Sequence, residues 1–226
     1  MVLANQHATG VATLQVIAFA SQKGGSGKST LAAHLSVHAD TPDKPALLID
    51  ADPQGSLAFW HEIREIETPV LAKCEASEIE ETVEAAAKDG IEWVFVDTPP
   101  HNAPAIADAM RAATLVIIPL RPAVFDLAAV AKTLEMAKAL SKPVLPVINS
   151  APARRGIARA PVVNEARDAL IAMGARPFAG QITQRAAFAH ALASGQAVGE
   201  FEPDSLAARE VRDLWQEVLR ALGIKG

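Results

Sequence analysis

The chain has no tyrosine, and aromatic residues make up only 4% of it. Its single cysteine, Cys74, excludes an internal disulfide and a multi-cysteine metal site within one chain. No apolar run approaches the roughly 20 residues of a membrane-spanning helix. The first basic residue is Lys23, so a secretory signal with a charged start is not expected. Basic residues number 21 against 26 acidic ones, a net charge of −5, which excludes a general nucleic-acid cation but leaves room for a local basic patch. With half of its 226 residues apolar and no low-complexity tract, the chain can bury a sizeable core and is not globally disordered. The expectation is a soluble, cytoplasmic, globular protein.

Residues 1–12 lack periodicity and read as a loose leader, with one domain over 13–226. Leu14–Ala20, Ala46–Asp50, Trp93–Asp97, Leu115–Pro119 and Val144–Asn149 are short and nearly all apolar, as strands covered on both faces are. Pro69–Lys73 is a weaker run, suited to an edge. Helices are expected over Lys28–Ala39, Ser77–Lys88, Phe125–Leu140, Pro161–Met173 and Ser205–Leu222. This alternation predicts an α/β fold: a single doubly wound, mostly parallel sheet with helices on both faces.

The sharpest chemical signal is Ser21-Gln22-Lys23-Gly24-Gly25-Ser26-Gly27-Lys28-Ser29-Thr30, which follows the first strand and opens the first helix. Glycines at 24, 25 and 27 let successive backbone N–H groups turn inward around phosphate oxygens, and the helix adds its positive dipole end. Lys28 is placed to reach the β/γ-phosphates and Ser29 to ligate Mg²⁺. The usual phosphate-loop pattern has glycine where Gln22 stands, and here an extra lysine, Lys23, accompanies the change.

Three carboxylates accompany the loop. Asp97 ends the strand WVFVD, where a carboxylate can hold Mg²⁺ through a water. Asp50 and Asp52 lie two apart at the end of ALLID, so both can face the crevice at the carboxyl edge of the sheet. One can support the metal while the other orients or deprotonates an attacking water; each taken alone also suits a helix cap or a turn.

With QKGGSGKST, LLIDADPQGS and FVDTPP in view, the chain resembles the ParA/MinD family of deviant Walker ATPases over residues 14–222. IPLRPAVFDL, PVINSAPARRG and ITQRAAFAHALASGQAVGEFEP are also similar to ParA proteins, and DPQG points to the ParA side. The resemblance implies ATP and Mg²⁺ as cofactors and a homodimer with ATP sandwiched between subunits. Lys23 and Lys28 would both contact phosphates, Lys23 across the dimer. Asp52 would activate water, Ser29, Asp50 and Asp97 would serve Mg²⁺, and Asn149 would lie near the adenine. A partner protein would stimulate hydrolysis and link the switch to its cargo.

ParA-like members bind DNA without sequence preference, whereas MinD-like members use a terminal amphipathic helix on membranes. The final helix mixes Arg209, Arg212 and Arg220 with Glu210, Asp213 and Glu217, unlike the basic face of a membrane-surface helix. Residues 151–190 hold six arginines (154, 155, 159, 167, 176 and 185) against Glu165 and Asp168. Arg154, Arg155, Arg159, Arg167 and Arg176 are therefore the candidate DNA contacts. They could equally cap helices or pair with acids, and Arg185 matches the family's QR motif and suits a structural role. His34 and His38 have metal-binding spacing but no evident third ligand, and His101 reads as a loop residue. The absent tyrosine and the single cysteine exclude the superfamily's tyrosine autokinases and its iron–sulfur members. No additional DNA-reading domain is expected before Leu14. The expected function is a nucleoid-associated switch that partitions plasmid or chromosome DNA. The alternatives are a positioner of protein cargo, a MinD-like membrane-cycling ATPase, and an ATP-dependent amidase or synthetase.

Overall fold

The structure, a computed structural model, describes residues 14–154, 156 and 158–224. The leader therefore lies outside the described residues, as does Arg155. Six strands form one parallel sheet in the order β3-β2-β4-β1-β5-β6. They are β1 (Gln15–Phe19), β2 (Ala46–Asp50), β3 (Val70–Lys73), β4 (Trp93–Asp97), β5 (Leu115–Leu120) and β6 (Val144–Ile148). The central ones are apolar up to their ends, with Gln15 opening β1 and Asp50 and Asp97 closing β2 and β4, because helices cover both faces. The weak run at 70–73 takes an edge, where a strand with half-buried and exposed positions is tolerated.

On one face lie α1 (Lys28–Ala39) and α9 (Leu206–Ala221), with α2 (Ser56–Glu62), α7 (Ala186–Ala193) and α8 (Val198–Phe201) beside them. The other face carries α3 (Ile79–Lys88), α4 (Ala103–Ala112), α5 (Val124–Ala139) and α6 (Pro161–Ala172). The apolar stripe of α9 buries Val211, Leu214, Trp215, Val218 and Leu219. Trp215 meets Trp93 edge-on at 4.6 Å between ring centroids, an aromatic pairing worth roughly 0.5–1.5 kcal/mol beyond its area. Ser205 caps this helix by accepting the Ala208 N–H. The last helix is thus a core element, and its apolar face is turned away from solvent.

Four helices have no counterpart in the sequence reading. In α4, Asn102 accepts the Ala105 N–H and Pro104 stands in the first turn, a start signal readable in the sequence. The runs of α2, α7 and α8 span seven, eight and four residues, too short for a helical period to declare itself.

Register brings the chemistry together. Phe19, Asp50 and Asp97 are aligned across β1, β4 and β2, so the loop after β1 and both strand-ending aspartates meet at the carboxyl edge. From β1 the chain crosses to β2 on one side, and from β4 to β5 on the other. Such a switch point leaves a crevice where ligands bind in open α/β sheets.

Candidate nucleotide site

That crevice is a cleft of about 760 Å³. Gly24, Gly25, Lys28, Ser29 and Thr30 form its polar side, with Asp52 at the margin; Trp60, Ile63, Leu192 and Ala193 form an apolar wall. Gly27 has φ +100°, and a Cβ there would fall 1.9 Å from Asn149 Nδ2. The Asn149 amide itself donates to the Ser26 carbonyl at 2.7 Å. Asn149, expected near an adenine, is placed as a buried brace that fixes the phosphate loop.

Lys28 is 6% exposed, and burial lowers its pKa against the pull of the Asp97 and Asp52 carboxylates. Asp97 is fully buried, and desolvation pushes its pKa up to about 7, although a hydrogen bond from Ser29 and the Lys28 charge work the other way. The Ser29 hydroxyl donates to Asp97 Oδ2, while Asp97 Oδ1 is buried with no partner among the described residues. A serine oxygen beside an unpartnered carboxylate oxygen is a hard donor set that suits Mg²⁺.

Asp50 has different neighbours. Its Oδ2 accepts the Ala58 N–H at 2.9 Å and its Oδ1 accepts the Asp52 N–H at 3.2 Å. Burial raises its pKa, and these backbone bonds oppose the rise. It anchors the start of α2, the helix-capping possibility that the sequence left open. Asp52 is only partly buried and accepts the Gln54 N–H at 3.0 Å, so its carboxylate borders the cleft from a tight turn.

Lys23 is not aimed at its own cleft. Its ammonium pairs with Asp126 at the start of α5, a carboxylate 2% exposed that also accepts from Arg121 Nε at 3.3 Å. Asp126 escaped the sequence reading. The only signal for it was its place in the IPLRPAVFDL stretch.

The arginines divide. Arg159 donates to the Ala179 carbonyl, and Arg167 to those of Phe178 (2.6 Å) and Gly180 (3.3 Å), so both brace the 178–180 turn. Arg185 pairs with Glu210 at 3.0 Å, as its structural reading expects. Arg154 and Arg176 are exposed and without an acidic partner among the described residues. The Arg154 and Arg159 charges act on Arg167, lowering its pKa after the larger effect of burial, so these three share one positive neighbourhood. His34 is buried, and its Nδ1 accepts the Val198 N–H at 3.0 Å, a core role; no group of three potential metal ligands occurs among the described residues.

The sheet order, the loop and its acids define a phosphate-loop nucleotide-binding protein. The CobQ/CobB/MinD/ParA nucleotide-binding domain matches residues 17–198, and the chain belongs to that family. A curated relative, maintenance of carboxysome distribution protein A of Gloeobacter kilaueensis, is 35% identical over 54% of this chain. The chain spans 56% of that relative's length. The chromosome-partitioning ATPase Soj of Thermus thermophilus is 26% identical, with 92% of this chain and 96% of Soj covered. Among solved structures, the septum site-determining protein MinD of Pyrococcus horikoshii with Mg-ADP superposes with a TM-score of 0.76 at 18% identity, covering 95% of this chain and 99% of that one.

Proposed function

We propose that the chain is an Mg²⁺-dependent, ATP-hydrolysing switch that positions a cargo by cycling between an ATP-bound dimer and a monomer. The observation that carries this is the burial of Lys28 between Asp97, Asp52 and the cleft, with Ser29 and an unpartnered Asp97 oxygen beside it. In this reading Gly24–Thr30 bind the phosphates through backbone N–H groups and Lys28. Ser29 and Asp97 hold Mg²⁺, which neutralises phosphate charge. Asp50 keeps α2 and the Asp52 turn in place, and Asp52 orients the attacking water.

Lys23 of each subunit serves the site of the other, which requires its pair with Asp126 to open. A γ-phosphate supplies negative charge that ADP lacks, so it favours that exchange by its differential interaction and no more. Nucleoid DNA is the surface the dimer rides, with Arg154 and Arg176 as the available phosphate contacts, and a further protein stimulates hydrolysis. The likeness to a carboxysome-distribution protein favours a second reading of the cargo as a protein assembly, while the likeness to Soj favours DNA. Burial of the α9 apolar stripe weighs against membrane cycling.

The test is binding of the Asp52→Ala protein to arbitrary duplex DNA with ATP against ADP across a salt series. Binding that requires ATP and weakens steeply with salt is expected. Dimerisation on ATP with no DNA binding at any salt would sink the DNA reading, and liposomes and protein partners would be assayed next.

A further inference from the structure

The apolar wall of the cleft joins two helices far apart in sequence, α2 through Trp60 and the Ile63 that follows it, and α7 through Leu192 and Ala193. They are tied together just past α2, at Arg64, whose side chain is 2% exposed. All three guanidinium nitrogens have acceptors. Nη1 donates to the Gly195 carbonyl at 2.8 Å and Glu200 Oε2 at 3.1 Å; Nη2 donates to the Thr68 carbonyl at 2.8 Å and Glu200 Oε1 at 3.0 Å. Nε donates to the Ile66 carbonyl at 3.3 Å, and the guanidinium lies 4.7 Å from the centroid of Trp60.

Two further observations converge on this junction. Gly195 has φ +69°, and a Cβ there would fall 2.4 Å from the Ile63 carbonyl oxygen, so the chain after α7 runs directly against the end of α2. Glu200 is itself held, its Oε2 accepting the Ala197 N–H at 2.7 Å. Asp50 fixes the start of α2 through Ala58, and Arg64 fixes its end. A planar fork binding a carboxylate at two points is a geometry that lysine does not reproduce.

We propose that Arg64 is a positioning residue for the nucleotide cleft: by gripping Glu200 and Gly195 it holds α2 against α7–α8 and sets the width of the cleft. The inference rests on the reading of this cleft as the ATP site. It touches no phosphate and acts through Trp60, Ile63 and the Asp52 turn that leads into α2.

The test measures binding of ATP with Mg²⁺ and amide exchange over residues 56–62 in the parent, Arg64→Ala, Arg64→Lys and Glu200→Gln proteins. Val163→Ala, on the buried side of α6 on the opposite face, serves as a control for general destabilisation. Arg64→Ala is expected to bind ATP roughly tenfold or more weakly, the loss of a charge-assisted hydrogen-bond pair. Its α2 amides should exchange faster without nucleotide, and Arg64→Lys should recover only part of the affinity. Val163→Ala should lower the melting temperature without moving ATP affinity. Should Arg64→Ala fail to fold, Glu200→Gln carries the test, with weaker ATP binding and faster α2 exchange expected. ATP affinity and α2 exchange unchanged in a folded Arg64→Ala or Glu200→Gln protein, or weakened equally by Val163→Ala, would overturn the inference. A parent protein that binds no ATP would overturn the ATP reading and, with it, this role.

Discussion

At the carboxyl end of the sheet, Lys28 is buried beside two carboxylates and opens onto a cleft. Past β6, Arg159 and Arg167 turn their donors onto the carbonyls of residues 178–180. Both regions are rich in charge. In the first, strand register and loop conformation bring the charges to one ligand-sized space; in the second, much of the charge is engaged by the protein's own backbone. Charge marks a site only when its donors and acceptors remain free to meet something else.

Lys28→Ala should break the comparison hardest. It removes the cation of the cleft, and ATP affinity should fall by roughly 10- to 150-fold, the value of a hydrogen bond to a charged group. Titration calorimetry would check this, and affinity within twofold of the parent would remove Lys28 from the phosphate site. Gly27→Ala comes next. Its Cβ would strike Asn149 at a φ that costs roughly 1–3 kcal/mol to impose on a side chain, so both stability and ATP binding should drop.

Asp97 offers a sharper probe, because its pKa rises from 3.8 to about 7 on folding. A carboxyl that holds its proton more tightly in the native state adds stability that is fully present below about pH 4 and is lost as the pH rises towards 7. Asp97→Asn keeps the neutral form at all pH values. It should melt higher than the parent above pH 7 in the absence of nucleotide, with the gap closing towards pH 4, and it should lose the Mg²⁺ dependence of ATP binding. Melting curves from pH 4 to 8 would decide; a constant gap would refute the assignment.

The smallest effects divide the arginines. Arg167→Ala should cost roughly 1–3 kcal/mol of stability as two backbone acceptors lose their donor. Arg176→Ala should leave melting unchanged and lower the salt slope of DNA binding by about one. The reverse pattern would show that the free and engaged arginines have been exchanged.

Much of this was legible in sequence because it is local. The phosphate loop declares itself by glycines between an apolar run and a helix, and five of the six strands by short apolar runs bounded by turn residues. The bounds of α1 follow directly from Lys28–Ala39. The edge strand was legible only weakly, since half its positions face outward. Helices α2, α7 and α8 stayed hidden because in runs of eight residues or fewer packing, not periodicity, decides their state. Whether Asp50 serves a metal or caps a helix stayed open in the sequence, because a carboxylate at a strand end looks the same in both roles.

Sequence alone determined the fold class, the phosphate loop and the family, each of which depends on residues close together along the chain. Tertiary structure alone decided that Lys23 pairs with Asp126 across 103 positions and that Arg64 binds Glu200 across 136. It likewise turned Arg159 and Arg167 inward. Those outcomes depend on which distant backbones come within hydrogen-bonding range once the sheet is wound, and no spacing in the chain encodes that distance.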